Sequence, residues 1–511
     1  MRCTHIKPYL QGKPTGKNNF LRISTTFYLI DKSFLKMKLK QVLTLCVLFC
    51  LGLGLVTCAQ TQLQLQTDSS LIQDNVSRDN SLEIWWEQGL LPEENEAILQ
   101  LVRQWEERSN VRVNLKLISQ TQIAAELENA IKSGNVPDVA FPSNAGPGNL
   151  FPKWAWQGQL TDVTDILEPI QDSFIPIALL GVNYQNHISK QRSYYAVPLG
   201  LMTVNIHYWR NLLTEAGFKE ADIPEDWQGF WAFWQQVQDR LHQQGREEIF
   251  GLGLPMSANG NDMKRAFLYF LDAHNVQILN ENGELLLDRP ENRQGLIDAL
   301  AEYASFYQNG YVPPAATKWR DSGNNISFLE GQSLMVANGN LSIPLTQKLE
   351  DNPYNQRSKD IYYNKIVTRG WPHKPDGTSM TMLVGVKQAA IPASARHKEN
   401  AKKFLSYFLQ PENMSQWLEK TLKGRFVPPL SEMLNNPLWN NPKDPHFSAI
   451  VELQRGPTAP ELQVFHPAYS LVNAQKIWQK ALLSILQDGV SPQKAADRAI
   501  ALIQDIFAQW N

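Results

Sequence analysis

The chain has no cysteine after residue 58, although it is 511 residues long. Its four cysteines are Cys3, Cys46, Cys50 and Cys58. The body of the protein therefore cannot contain disulfide bonds, a thiolate nucleophile or a metal held by cysteine. It does not need such crosslinks, because a chain of this length can bury two sizeable hydrophobic cores.

A surplus of charge of one sign is also missing. Lys and Arg number 48 against 50 Asp and Glu, which gives a formal net charge of -2. The chain therefore lacks the excess of positive charge that is typical of nucleic-acid-binding proteins. The HExxH motif of zinc hydrolases and the GxSxG motif of serine hydrolases are absent, and the 9 histidines form no cluster with metal-ligand spacing. We therefore expect neither enzymatic activity nor a cofactor or metal.

The apolar run at residues 42–56 is too short for a membrane-spanning helix, which needs about 20 residues. Met37 and two lysines stand directly before it, and polar sequence follows it. A basic segment, an apolar segment and a cleavage site are typical of a secretory signal peptide. We expect translation to start at Met37, residues 1–36 to be a non-native or unstructured extension, and residues 37–57 to be the signal peptide.

The apolar run ends in the sequence LVTC, which resembles the lipobox of bacterial lipoproteins and places Cys58 at the lipid-modified position. Thr57 departs from the pattern, which usually has Gly, Ala or Ser there. We expect a lipid on Cys58 and a flexible polar tether over residues 58–81. Such a protein is exported and anchored at the periplasmic or cell-surface face of the cytoplasmic membrane. The alternative is ordinary cleavage nearby without lipidation.

Strands and helices are predicted to alternate from Leu82 onward. The expected elements are a strand at 82–86, a helix at 92–107, a strand at 111–117, a helix at 121–133 and a strand at 136–141. This β-α-β-α-β order indicates a parallel sheet covered by helices, and ligands bind at the carboxyl ends of such strands. The ends of the first and third strands place Trp86, Glu87, Ser143 and Asn144 in a candidate binding crevice.

A second α/β region follows from about residue 200 and ends in a helix that Ser491 and Pro492 are predicted to start. Asparagine offers both donors and an acceptor, and tryptophan offers a flat apolar face, so both suit a polar ring-shaped ligand. The candidates here are Met256, Asn259 and Asn261 after one predicted strand, Asn338 and Asn340 after another, Trp319 and Trp371 in loops, and Tyr469 before a C-terminal helix.

Short motifs follow one another in order along residues 82–511. They include GNVPDV at 134–139, LTDVT at 160–164, YYAVPL at 194–199, FLEGQSLM at 328–335 and KENAKKF at 398–404. Each motif is weak alone, but the ordered set resembles the bacterial extracellular solute-binding proteins that include the maltose-type sugar-binding proteins.

The resemblance implies an α/β, periplasmic-binding-protein-like fold of two interleaved lobes joined by three hinge crossings. The crossings are expected near residues 197–202, 379–384 and 417–424, with one lobe at 82–198 plus 383–418 and the other at 199–382 plus 419–511. The resemblance also implies a monomer that closes around a small solute and delivers it to the membrane permease of an ABC importer.

The sequence departs from the maltose-type members where those proteins stack tryptophan on sugar rings. No tryptophan follows Asn338, and none stands at 141–144 after the third predicted strand. A small mono- or oligosaccharide held by hydrogen bonds therefore fits better than a long maltodextrin. The alternatives are a polyamine, which needs several acidic residues, an organic anion, which needs arginine or a bare helix N-terminus, and an exported carbohydrate-active enzyme.

Overall fold

The structure is a computed structural model that describes residues 81–89, 92–142, 150–339, 341–348, 356–421 and 423–510. The predicted signal peptide and Cys58 lie outside these ranges. Residues Val76–Asn511 group into one compact unit, which contains every element described below. Across the described ranges, no helix combines the length and the apolar character that a membrane crossing requires.

Strands and helices are interspersed along the described chain. The strands are β1 (Ser81–Glu87), β2 (Arg112–Ile118), β3 (Val139–Phe141), β4 (Asn183–Asn186), β5 (Gln191–Tyr194), β6 (Val197–Met202), β7 (Val204–Trp209), β8 (Phe250–Leu252), β9 (Ser333–Gly339), β10 (Ile366–Arg369), β11 (Met382–Ala389) and β12 (Thr458–Pro460). The helices are α1 (Pro92–Ser109), α2 (Ile123–Ser133), α3 (Leu150–Trp156), α4 (Thr164–Leu167), α5 (Pro176–Leu180), α6 (Arg210–Glu215), α7 (Trp227–Gln243), α8 (Asp262–Ala273), α9 (Pro290–Gln308), α10 (Gly323–Leu329), α11 (Gln356–Asp360), α12 (Lys398–Phe408), α13 (Pro411–Ser415), α14 (Pro445–Leu453), α15 (Ala468–Ala474), α16 (Ile477–Asp488) and α17 (Pro492–Ala508).

The first sheet is parallel and has the order β2-β1-β3, with α1 and α2 as its connections. Leu82, Ile84 and Trp86 alternate along β1 and are at most 2% exposed, because successive side chains of a strand point to opposite faces. The β-α-β-α-β unit predicted from the sequence is thereby confirmed.

The second sheet has the order β10-β7-β9-β8. β7 runs antiparallel to both of its neighbours, and β8 runs parallel to β9. Helix α7 packs on this sheet and begins where Asp226 Oδ1 accepts a hydrogen bond from the Gly229 amide at 2.8 Å. The predicted start of α17 is confirmed, since Ser491 Oγ accepts from the Lys494 amide at 3.3 Å.

Buried apolar residues form two clusters, and each defines a lobe. The first lobe contains the buried residues of 82–201 and 384–464, together with Leu341. The second lobe contains those of 204–382 and 468–507. Apart from Leu341, which the second-lobe stretch 204–382 contributes to the first core, the described chain passes between the lobes at residues 201–204, 382–384 and 464–468.

The third crossing lies elsewhere than the sequence predicts. The expected segment is 417–424, but Phe426, Trp439 and Phe447 are at most 6% exposed and still belong to the first cluster. Residues 426–464 are thus part of the first lobe, not the second. The reason is that apolar spacing identifies a buried face without indicating which of two cores will cover it.

A third sheet, β12-β11-β6, gathers the crossing segments. β11 runs antiparallel to β6, with Gly385 opposite Met202, and parallel to β12, with Met382 opposite Thr458. The first two crossings lie in or directly after strands of this sheet, and the third follows shortly after β12. A hinge between the lobes is therefore built on paired strands.

A buried chain of polar groups ties helix α14 to the second sheet. His207 Nδ1 lies 2.9 Å from Thr368 Oγ1, and that hydroxyl lies 2.6 Å from His446 Nδ1. His446 Nε2 donates to the Tyr362 carbonyl at 2.8 Å. Burial lowers the pKa of His446 to about 4, so its ring is neutral at pH 7 and can accept from Thr368.

Candidate ligand-binding cleft

A cavity of about 300 Å³ opens between the two lobes beside the hinge. Met202, at the end of the crossing strand β6, is one of its lining residues. The remaining lining residues are Gln120, Arg425 and Phe426 from the first lobe and Asn261, Asp262, Arg265, Asp321, Ser322, Asn325, Asn338, Gly339 and Ser342 from the second-lobe side. Polar groups from both lobes thus face one space.

The second-lobe wall is organised at the start of α8. Asp321 Oδ1 accepts hydrogen bonds from the backbone amides of Asn261 and Asp262, and Asp262 Oδ1 accepts from Arg265 Nη1 at 3.2 Å. The side chain of Asp262 is only 12% exposed. Burial raises the pKa of Asp262 to about 6; the nearby Asp321 charge acts in the same direction and Arg265 opposes it.

Asparagines form the neighbouring part of this wall, at the end of β9. Asn338 Nδ2 donates to Asn325 Oδ1 at 2.6 Å, and Ser342 Oγ donates to Asn338 Oδ1. Asn205 lies directly opposite Asn338 in the β7–β9 pairing and is fully buried. Within the described part of the chain, the Nδ2 group of Asn205 has no acceptor. Asn205 does not line the cavity, so this donor lies behind the wall that Asn338 forms.

The first-lobe wall is held by a bidentate ion pair. Arg425 Nη1 lies 2.7 Å from Glu94 Oε1, and Arg425 Nη2 donates to Glu94 Oε2 at 2.9 Å. The Arg425 guanidinium also lies 5.0 Å from the centre of the Phe426 ring. Two hydrogen bonds in one plane fix the orientation of a guanidinium, so the position of Arg425 at the cavity is defined.

A lysine on the hinge strand β11 lies among these charges. Lys387 is 4% exposed, and its ammonium group lies 4.8 Å from the centre of the Phe426 ring. Burial, together with repulsion from Arg265 and Arg425, lowers the pKa of Lys387 to about 7, while Glu87 opposes this shift. Arg265 and Arg425, from different lobes, thus lie within electrostatic range of one side chain.

Two of the predicted site residues, Asn261 and Asn338, are brought together at the cavity. Glu87 is 6% exposed and lies near Lys387, outside the cavity lining. Four further predicted residues lie outside the described residues: Ser143, Asn144, Asn340 and the lipid acceptor Cys58.

Trp86 has a different position from the one that the sequence analysis assigns to it. Its ring stacks on Phe141 with centroids 4.0 Å apart and on Phe408 at 5.6 Å, and Trp417 packs edge-on against it. Only 2% of Trp86 is exposed. The correction has a simple cause: Trp86 is in phase with Leu82 and Ile84, so the two-residue period of the strand turns it into the core.

Other predicted site residues also belong to the core or lie away from the cavity. Met256 is fully buried, and Tyr469 is buried and accepts from Trp478 Nε1 at 2.8 Å. Trp371 stacks on Tyr269 at 4.4 Å and donates to the Val204 carbonyl. Trp319 packs half-buried against the second-lobe core, and Asn259 is exposed outside the lining. These residues were predicted to lie in loops or at the ends of elements, and the sequence does not indicate which distant residues pack against them.

Most of the charged residues that line the cavity were not predicted from the sequence. Asp262 and Arg265 follow the predicted Asn261 directly and share a helix face at i and i+3, so extending that segment by one turn would have found them. Arg425, Phe426 and Gln120 carry no comparable signal, because they reach the cavity only through the packing of distant segments. Among the described residues, no group of three or more His, Cys, Asp or Glu is arranged to hold a metal ion.

Two α/β lobes, three crossing segments and a polar cavity between the lobes define a two-lobed binding protein. The chain belongs to the bacterial extracellular solute-binding protein family, whose sequence profile matches residues 100–449. Similar proteins include a multiple sugar-binding protein of Streptococcus mutans, which is 22% identical over 361 residues, 68% of this chain and 76% of the relative. An arabinooligosaccharide-binding protein of Bacillus subtilis is 21% identical over 341 residues, 65% of this chain and 69% of the relative.

Solved structures show the same fold. An ABC transporter solute-binding protein of Thermotoga lettingae, bound with α-D-tagatose, matches with a TM-score of 0.66 at 20% identity. The match covers 84% of this chain and 99% of that one. The α/β fold of two lobes expected from the sequence is thereby confirmed.

Proposed function

We propose that this protein is the substrate-binding component of an ABC importer and that it captures a sugar in the cavity between its lobes. One observation carries the proposal: both lobes contribute hydrogen-bonding side chains to one cavity beside the hinge sheet. Similar proteins named for sugar or arabinooligosaccharide binding support the same ligand class.

The hinge sheet gives this capture a mechanism. The crossing strands β6 and β11 are paired, so the lobes can rotate about them without breaking either core. A ligand that contacts both walls binds the closed form more tightly than the open one and shifts the population toward it. The permease of the importer then receives the closed, loaded protein.

Other occupants are less well matched to the lining. A polyamine would need several carboxylates without cationic partners, but Asp262 is paired with Arg265. An organic anion would need a cation without an anionic partner, but Arg425 is paired with Glu94. A glycosidase needs two carboxylates on either side of the bond to be cleaved, whereas Asp262 and Asp321 both belong to the second-lobe wall.

A thermal-shift screen of the purified protein tests the proposal. We expect at least one sugar to raise the melting temperature, because a ligand that binds only the native state stabilises it, by about 2.7 kcal/mol at a hundred times its Kd. Spermidine, citrate and a chromogenic glycoside serve as comparisons. A shift with spermidine or citrate alone, or turnover of the glycoside, would contradict the proposal.

We further propose that the protein is exported and anchored by a lipid on Cys58, which supports its function by keeping it near the permease. A lipid-bearing cysteine followed by a polar tether suits this arrangement. Replacement of Cys58 by serine should release the protein from the membrane or leave an uncleaved precursor. Absence of labelled fatty acid from the unaltered protein would show that it is not lipidated.

A further inference from the structure

The charges that line the cavity balance. Two carboxylates, Asp262 and Asp321, face two guanidinium groups, Arg265 and Arg425. Arg265 is bonded to Asp262, and Arg425 is bonded to Glu94 behind the wall. Asp321 accepts backbone amides at the start of α8. Both guanidinium groups are therefore already paired with a carboxylate, so neither is free to compensate the charge of an anionic ligand in this partly buried site.

Side chains on opposite walls of the cavity present hydrogen-bonding groups that suit a sugar. A carboxylate accepts hydrogen bonds, and a guanidinium donates several in one plane. Adjacent hydroxyl groups of a sugar can each donate to one group and accept from another. Asp262 with Arg265 offers such a set on the second-lobe wall, and Arg425, oriented by Glu94, offers donors on the first-lobe wall.

The size of the cavity limits the occupant. Its volume of about 300 Å³ lies at the lower end of the range of roughly 300–1,000 Å³ that is usual for small-molecule sites. Among the lining residues, Phe426 is the one aromatic side chain, so the described wall has no extended platform for a row of sugar rings.

We propose that the ligand is a neutral sugar of one or two rings, whose adjacent hydroxyl groups bridge the Asp262–Arg265 pair of the second lobe and Arg425 of the first lobe. This inference rests on the proposed sugar-binding function and makes it more specific. Asp262 and Arg265 determine the specificity for a neutral ligand, since either charge alone would favour a ligand of the opposite charge.

The affinity should also depend on pH through Asp262. Its neighbours are Arg265 on the same helix, Asp321, Asn324 and Tyr303. Because burial raises the pKa of Asp262 to about 6, its carboxylate form is complete above that pH and is lost below it. Sugar hydroxyls donate to the carboxylate form, so the contribution of Asp262 to the affinity should be fully present well above pH 6 and should fall by up to about tenfold per pH unit below 6.

Calorimetric titration of the full mature protein tests the inference with a panel of neutral mono- and disaccharides, the uronic acids of the same sugars, and maltotetraose. We expect a neutral sugar of one or two rings to bind most tightly. Replacement of Asp262 by asparagine should lower the affinity for that sugar by about tenfold to hundredfold, which is the usual effect of losing a hydrogen bond to a charged group. It should also abolish the fall in affinity below pH 6.

The matched control is the variant E291Q. Glu291 is an exposed acidic residue in the first turn of α9, so its replacement should leave the affinity unchanged.

The outcomes separate the two proposals. Tighter binding of a uronic acid or of maltotetraose, or an unchanged affinity and pH profile in D262N, would overturn the inference and leave sugar binding standing. Failure of every sugar in the panel to bind would overturn both. If D262N does not fold, R265Q is used in its place. Loss of the guanidinium should weaken the binding of the neutral sugar, and thermal unfolding of R265Q shows whether the variant is folded.

Discussion

Replacement of Arg425 by glutamine is expected to lower the free energy of unfolding by about 3–5 kcal/mol, because it removes the bidentate ion pair of the buried Glu94 carboxylate. The side chains of Arg425 and Glu94 are only 18% and 7% exposed. Glutamine cannot replace the two parallel hydrogen bonds of the guanidinium. The measurement is urea unfolding followed by tryptophan fluorescence, with the unfolding of the original protein as reference.

Two controls identify the cause of this loss. The double variant E94Q/R425Q should be more stable than R425Q alone, since it removes the buried carboxylate charge together with its guanidinium. The pair of Arg455 with Glu452 has the same 2.7 Å separation, but its side chains are 71% and 69% exposed, so R455Q should change stability by about 1 kcal/mol or less. Equal losses in R425Q and R455Q would show that burial does not determine the strength of the Arg425 pair.

Replacement of Trp86 by alanine is expected to cost about 3–5 kcal/mol of stability, the usual range for removing a large aromatic side chain from a core. Trp86 stacks on Phe141 and packs against Phe408 and Trp417, so its loss opens a cavity inside the first lobe. The affinity of the folded fraction for its sugar should remain unchanged. Chemical unfolding and calorimetric titration measure the two quantities separately.

The neighbouring Trp85 provides a matched control on the same strand. Trp85 points to the opposite face, where its Nε1 donates to Glu83 Oε1 at 2.8 Å and Lys116 lies 4.4 Å from its ring centre. We expect W85A to lose about 1 kcal/mol, mainly the cation–π contact. A W86A variant that keeps its stability but loses sugar affinity would restore Trp86 as a ligand contact.

Elements with a clear period or cap could be predicted from the sequence. The helix predicted at 121–133 is α2 (Ile123–Ser133), and the cap at Ser491 starts the last helix as expected. Both features depend on residues that are close in sequence. The third crossing could not be placed in this way, because the apolar residues of 426–464 fit either core by composition.

The candidate site was harder to predict for the same physical reason. Glu94 and Arg425 are 331 positions apart, so their pairing exists only after the first lobe has folded. Asn261 and Asn338 were found because each lies at the end of a strand or the start of a helix. Trp86 was misplaced because its position at the end of a strand was given more weight than its phase with Ile84.

The central claim is that a sugar binds between the lobes and closes them, and small-angle scattering of the mature protein with and without its sugar tests it most directly. We expect the radius of gyration to fall when the sugar saturates the site, since contacts to Arg425 on one wall and Asp262 on the other favour the closed form. The D262N variant should need more sugar to reach the same compaction. An unchanged radius of gyration at saturation, established by calorimetry on the same sample, would contradict closure of the lobes around the ligand.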